Sequence, residues 1–140
     1  MRRRMVRNTM GDRGVAAVEF ALLLPMLLLL VFGIIDFGRA LNAQITLTQA
    51  AREGARLASV GSTNVVAGTK AAATGLNPVT VAVTPSPTCP LNAGPGVNAV
   101  VKASITFTFV TPVAAISHLF GGTWGATMNL SATGVMPCET

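Results

Sequence analysis

One feature limits this chain more than any other: an unbroken apolar run, Val15–Ile35, reading VAAVEFALLLPMLLLLVFGII, in which Glu19 is the single ionisable side chain. Such a run is stable in hydrocarbon only as a helix, because a helix satisfies its own backbone polar groups. At 1.5 Å per residue its 21 residues span about 31 Å, close to the thickness of a bilayer's apolar core. Five arginines (Arg2, Arg3, Arg4, Arg7, Arg13) precede it against Asp12 alone, so residues 1–14 carry +4 of the chain's +5. The remaining five basic and four acidic groups leave the body at +1. Arginines crowding one flank predict a cytoplasmic N-terminus, with residues 36–140 on the far side. A cleaved secretory signal fits poorly. Its apolar core is shorter and ends at small residues, whereas this run is long, contains Pro25 and leads into Phe37-Gly38-Arg39.

The chain is 51% hydrophobic and 11% charged, where soluble domains average about 25% charged. The apolar run accounts for much of that excess. Beyond it stand 105 residues (36–140), enough for one small domain. A nucleic-acid surface would need basic groups interleaved with aromatics on a folded face. Here the basic groups are concentrated in the leader, Tyr is absent, and Trp124 stands far from any basic cluster. Nucleic-acid binding is not expected.

Two residues inside the run need separate accounts. Pro25 lacks a backbone N–H and crowds the carbonyl of Ala21, which predicts a kink over Ala21–Pro25. Glu19 costs roughly 2 kcal/mol or more if buried charged in lipid. It either snorkels to the headgroups, stays protonated, or meets a positive group. A cut between Gly14 and Val15 would supply one: the new ammonium would stand at i, i+4 to Glu19, or reach the Glu19 of a neighbouring subunit.

A basic leader ending in Gly, then small apolar residues, Glu and an aromatic (here Gly14, Val15, Glu19 and Phe20) is the processing pattern of type IV pilins and pseudopilins. The longer run GVAAVEFALLLPMLLLLVFGIIDFGRALNAQITLTQAAREGARLA, Gly14–Ala58, resembles the N-terminal region of TadE-like pseudopilins of bacterial tight-adherence pilus systems. TadF- and TadG-type relatives share parts of it. The resemblance implies cleavage after Gly14 by a membrane prepilin peptidase and a role for Glu19 in maturation or assembly. It also implies a minor pilus or assembly component in the bacterial inner membrane. The partners would be lipid, the peptidase, other pilins and the inner-membrane machinery. An uncleaved single-pass anchor presenting a periplasmic binding domain is the alternative.

Past Ile35 the helical pattern continues. Phe37, Leu41, Ile45, Thr48, Ala51, Ala55 and Ala58 recur at three- and four-residue steps, predicting an amphipathic helix over 36–60 with that stripe toward the domain. Asp36–Arg39 and Glu53–Arg56 are opposite charges at i, i+3. Gly61-Ser62 ends the helix, and a short second helix is expected over Asn64–Thr74, closed by Gly75. Three stretches alternate with period two: Val79–Thr84, Val101–Phe109 and Ala126–Thr133. Each has one apolar and one Thr-rich face, as in an antiparallel sheet covered on one side. The expected fold is therefore α+β and pilin-like: a long N-terminal helix packed on a small antiparallel sheet of three or more strands, with residues 61–140 as the small extracytoplasmic domain. Thr84–Asn98, with four prolines and two glycines, reads as a loop, and Thr111–Gly125 as a connection with a helical turn at Val113–Leu119 and Phe120 and Trp124 packed beside the sheet.

Cys89 and Cys138 form an even pair on the oxidising side of the membrane, which favours one disulfide over free thiols or a two-cysteine metal site. Nothing suggests catalysis. His118 has no acid or cysteine near it in sequence, and Gly121-Gly122 lacks the lysine and helix of a phosphate loop. No enzyme activity, cofactor, metal or small-molecule substrate is expected.

Overall fold

A computed structural model of the chain describes residues 10–85, 88–90, 94, 96–110 and 127–139, with side chains from Gly14 onward. Its main element is α1, Met10–Ser59, 50 residues and about 75 Å long. The helix starts five residues ahead of Val15, so Gly14 and Val15 lie within it. It continues through Pro25. Every residue from Gly14 to Ile35 is exposed, and burial begins abruptly at Asp36. This helix is long and apolar enough to cross a membrane. At its far end Gly61 takes a positive φ of 72°, the Gly61 N–H donates to Ala58 O at 3.2 Å and the Ser62 N–H to Leu57 O at 3.0 Å. Those two bonds close the last turn, and a glycine makes the left-handed step at low cost.

A short helix, α2 (Val65–Ala72), turns back onto the outer part of α1. Val65 and Thr69 are buried, and the Thr69 hydroxyl is satisfied locally by Val65 O at 2.7 Å. Three strands follow: β1 (Thr80–Thr84), β2 (Asn98–Thr108) and β3 (Thr127–Pro137). They form one antiparallel sheet in the order β1-β2-β3, with Val81 opposite Ala103, Val101 opposite Gly134 and Phe107 opposite Met128. The α+β architecture is the expected one, a long helix laid on a small antiparallel sheet. Val101, Ala103, Phe107, Leu130 and Ala132 turn inward from the sheet onto α1.

Strands and helix run lengthwise along each other. The β2 end of this alignment is marked by Val101 beside Gly54 and by Val110 N–H bonded to Asp36. Eighteen helical residues cover about 27 Å and nine extended ones about 30 Å, so the two elements keep pace. On β3, Ser131 O accepts from Gln44 Nε2 at 3.0 Å, and Gly134 lies against the Ala51–Arg52 backbone. The end of β2 and the start of β3 therefore stand at the level of Asp36, and the opposite ends stand at the level of Ser59.

The face of α1 that meets the sheet corrects one expectation. Ala51, Ala55 and Ala58 are buried, but Phe37, Leu41 and Ile45 are 65%, 49% and 58% exposed. The covered face is Ala40, Ala43, Leu47, Ala50, Ala51, Gly54, Ala55 and Ala58. It is rotated by about 80°, a little under a quarter of a turn, from the centre of the expected stripe, at 100° per residue. The reason is closeness. A Cβ on Gly134 would strike the Ala51 carbonyl, and one on Gly54 would strike the Thr69 hydroxyl and come within 2.9 Å of Val101 Cγ1. At that approach small side chains fill most of the covered face, with Leu47 its one large residue, and Phe37, Leu41 and Ile45 face outward.

Two strands also run beyond their expected bounds. β2 begins three residues before Val101, and β3 passes Thr133 to reach Pro137. Gly134 and Pro137 read locally as breakers; Gly134 is instead the point of closest helix contact, and Pro137 sits at the strand's end opposite Asn98. At the top of the domain the Cys89 and Cys138 sulfurs are bonded. The Cys89 N–H donates to Ala58 O and the Glu139 N–H to Ser59 O, both at 3.2 Å. The two segments joined by the disulfide thus satisfy carbonyls that the helix end leaves open. The expected turn at Val113–Leu119, with His118, Phe120 and Trp124, lies outside the described residues, as do residues 1–9 of the leader.

Candidate functional site

The residues singled out in sequence for processing and assembly all fall on the exposed part of α1. Gly14 lies within α1 and has open space around it. Val15 and Phe20 are about three-fifths exposed, and Glu19 is exposed between them. The domain covers none of these residues. Fifteen large apolar side chains between Val15 and Ile35 stand exposed in this way. Even at about 1 kcal/mol each, half of a full burial, leaving them in water would cost on the order of 15 kcal/mol. Their surroundings must be lipid, other helices, or both.

Where the domain takes hold of the helix, the side chain of Asp36 is the anchor. It is 2% exposed and accepts the Val110 N–H at 3.1 and 3.3 Å on its two oxygens. Arg39 Nη1 donates to it at 2.8 Å, and the Arg39 guanidinium stands 5.3 Å over the Phe107 ring. Phe109 packs edge-on against Phe107 at 5.4 Å. A buried carboxylate held by a backbone N–H and a guanidinium has its charge answered on both sides. Here those bonds fix the rotation of α1 against the lower end of the sheet. The i, i+3 spacing of Asp36 and Arg39 was legible in sequence. The tie to Val110, 74 residues away, had no sequence signal.

Glu53–Arg56, one domain-length higher, is a surface pair. Arg56 Nη2 and Nε donate to the two Glu53 oxygens at 2.7 and 3.0 Å. These bonds hold the Glu53 carboxyl below its ordinary range and raise the Arg56 guanidinium further above its own.

With the bulky outer residues turned away from the sheet, one exposed face runs unbroken past the domain boundary. Glu19, Leu23, Met26, Leu30, Ile34, Phe37, Leu41 and Ile45 succeed one another at three- and four-residue steps, and all are exposed. The expected sheet-facing stripe is, in its lower half, the upper end of this ridge. Among the described residues no cluster of His, Cys, Asp and Glu is arranged to hold a metal ion.

No curated protein and no solved structure matches the chain. Residues 14–56, just under a third of it, match the family model described as TadE-like protein. That segment runs from the glycine of the expected cut to the arginine that pairs with Glu53, so the matched stretch includes Gly14, Val15, Glu19 and Phe20.

Proposed function

We propose that this protein is a minor pseudopilin or assembly component of a Tad-type pilus, structural and not catalytic in its role. It is held in the bacterial inner membrane by residues 15–35, with its N-terminus cytoplasmic and its domain periplasmic, and is added to an assembly through the exposed ridge of α1. The TadE-like match supports association with a pilus system. The observation that carries the reading is the ridge itself. It extends from Glu19 in the apolar run to Ile45, two and a half turns beyond Asp36, on a face its own domain leaves bare. A lipid anchor alone has no use for large apolar residues above the bilayer. A helix packed along neighbouring helices needs them.

In this reading a prepilin peptidase cuts between Gly14 and Val15, and Glu19 answers the new ammonium of a neighbour. Intact mass of the membrane-extracted protein tests the cut. Loss of residues 1–14 in cells with the peptidase is expected, and a full-length chain in those cells would refute maturation. Glu19→Ala is expected to leave the subunit in the membrane yet unassembled, and unchanged assembly would remove the role assigned to that carboxylate. One observation favours the alternative of an uncut anchor. α1 takes in Gly14 and Val15, so the bond between them is helical and must unwind before a protease can hold it. The mass measurement separates the two readings.

A further inference from the structure

Two opposite charges on the outside of the domain are left over once its internal pairs are made. Of the four acidic residues after the leader, Asp36 is buried against Val110 and Arg39, Glu53 is held by Arg56, and Glu19 lies in the apolar run. That leaves Glu139. Glu139 and Arg52 are both exposed, and among the described residues neither side chain has an ion pair. Arg52 continues the bare face of α1, three turns above Leu41 and within about 20° of its direction. Glu139 stands above the helix end. Its N–H donates to Ser59 O, the place that a residue four further along a helix would take. That puts it eleven residues, about 16 Å, above Arg52. The strand route agrees: Gly134 lies against the Ala51–Arg52 backbone, and five extended residues from there to Glu139 cover about 16 Å.

Eleven residues is also three turns of helix to within about 20°, so a slide of that length carries the bare ridge onto itself. In two parallel copies offset this way, Phe37, Leu41 and Ile45 of the lower copy come level with Met26, Leu30 and Ile34 of the upper, and all six are exposed. The same offset, in the same direction, brings Glu139 of the lower copy level with Arg52 of the upper. Without the offset, Arg52 would stand level with Arg52, like charge beside like. We propose that the ridge takes a second copy of this chain, raised by three turns, about 16 Å, and fixed in that register by an Arg52–Glu139 ion pair. As the upper copy leaves the lipid, its Met26, Leu30 and Ile34 then meet apolar side chains of the lower copy and not water. This rests on the reading that the ridge packs along a neighbouring helix, and the test keeps the two apart.

The test is cysteine crosslinking between two differently tagged full-length copies, co-expressed in cells that carry the pilus machinery. The native cysteines are already bonded to each other, so one new cysteine per copy reports the register. Met26→Cys in one copy is expected to crosslink with Phe37→Cys in the other, and Phe37→Cys with Phe37→Cys far less. Leu30→Cys with Leu41→Cys repeats the reading, so failure of one pair leaves the other decisive. Arg52→Glu in both copies, or Glu139→Arg in both, is expected to lower the offset crosslink by about fivefold, the scale of one exposed ion pair lost. The two changes together are expected to restore it. Crosslinking strongest between level positions, or an offset crosslink that ignores the charge reversals, would overturn the register and leave ridge packing standing. Absence of any crosslink between tagged copies, with Leu41→Ser still blocking incorporation, would remove the second copy and assign the ridge to a different pilin. If Leu41→Ser incorporates normally as well, the ridge reading itself falls, and the register with it.

Discussion

Two residues show how much a single atom decides in this domain. Gly134 is flanked by ordinary strand geometry, yet a methyl group there would overlap the Ala51 carbonyl and the Arg52 nitrogen. Backbone cannot yield as a side-chain tip can, so Gly134→Ala must push helix and strand apart. We expect a loss of about 2–4 kcal/mol in unfolding free energy, in the range of overpacked cores, read by thermal or denaturant melting in detergent. Asp36 acts through polarity. Removing its carboxylate in Asp36→Ala takes the buried acceptor from the Val110 N–H and from the half-exposed Arg39 guanidinium. Charge-assisted bonds of this kind are each worth about 1.5–3 kcal/mol, so a loss near 3 kcal/mol is expected by the same melt. Glu53 presents the contrasting case. Its carboxyl is held low by Arg56, so the contribution exists above the ordinary carboxyl pKa and fades as pH falls through the lowered value. Both groups are solvent-exposed, and solvent screening makes that contribution small.

At the scale of elements, α1 is two different surfaces on one cylinder. The face toward the sheet is alanine and glycine with Leu47 as its largest member, fully buried. The face away from it carries Phe37, Leu41 and Ile45. Substitutions on the two faces are expected to separate stability from assembly. Leu47→Ala creates a cavity and should cost about 2–5 kcal/mol of domain stability. Leu41→Ser should leave the melting temperature nearly unchanged and reduce incorporation into pilus assemblies. Melting of both purified variants, with co-purification of each alongside other pilus components, tests the pair. Equal incorporation of Leu41→Ser and the native chain would break the link between ridge and assembly. A periodic pattern alone could not tell the faces apart, because alanine and leucine both count as apolar in it. Which of them faces the sheet depends on how close the sheet comes.

For the whole molecule, the disulfide closes the structure at the end farthest from the apolar run. It links residues 49 apart, and both joined segments donate to the last carbonyls of α1. The loop-entropy model gives roughly 4 kcal/mol for a closure of this length. Cys89→Ser with Cys138→Ser should therefore lower stability by about that amount, measured against the oxidised chain. Hydrogen exchange should rise first at Cys89 and Glu139. Much of this fold was legible in the sequence. The apolar run, its arginine-rich flank, the glycine stop at Gly61, the period-two strands and the cysteine pair are all properties of consecutive residues, set by local hydrogen bonding and by the free energy of moving side chains out of water. The TadE-like stretch was legible for the same reason, since it lies on one continuous helix. Only the tertiary structure decided which face of α1 meets the sheet, why β3 runs through Gly134, and that Asp36 reaches across 74 residues to Val110. Each of those depends on the distance between surfaces remote in sequence. That distance is fixed by packing, which no local pattern encodes.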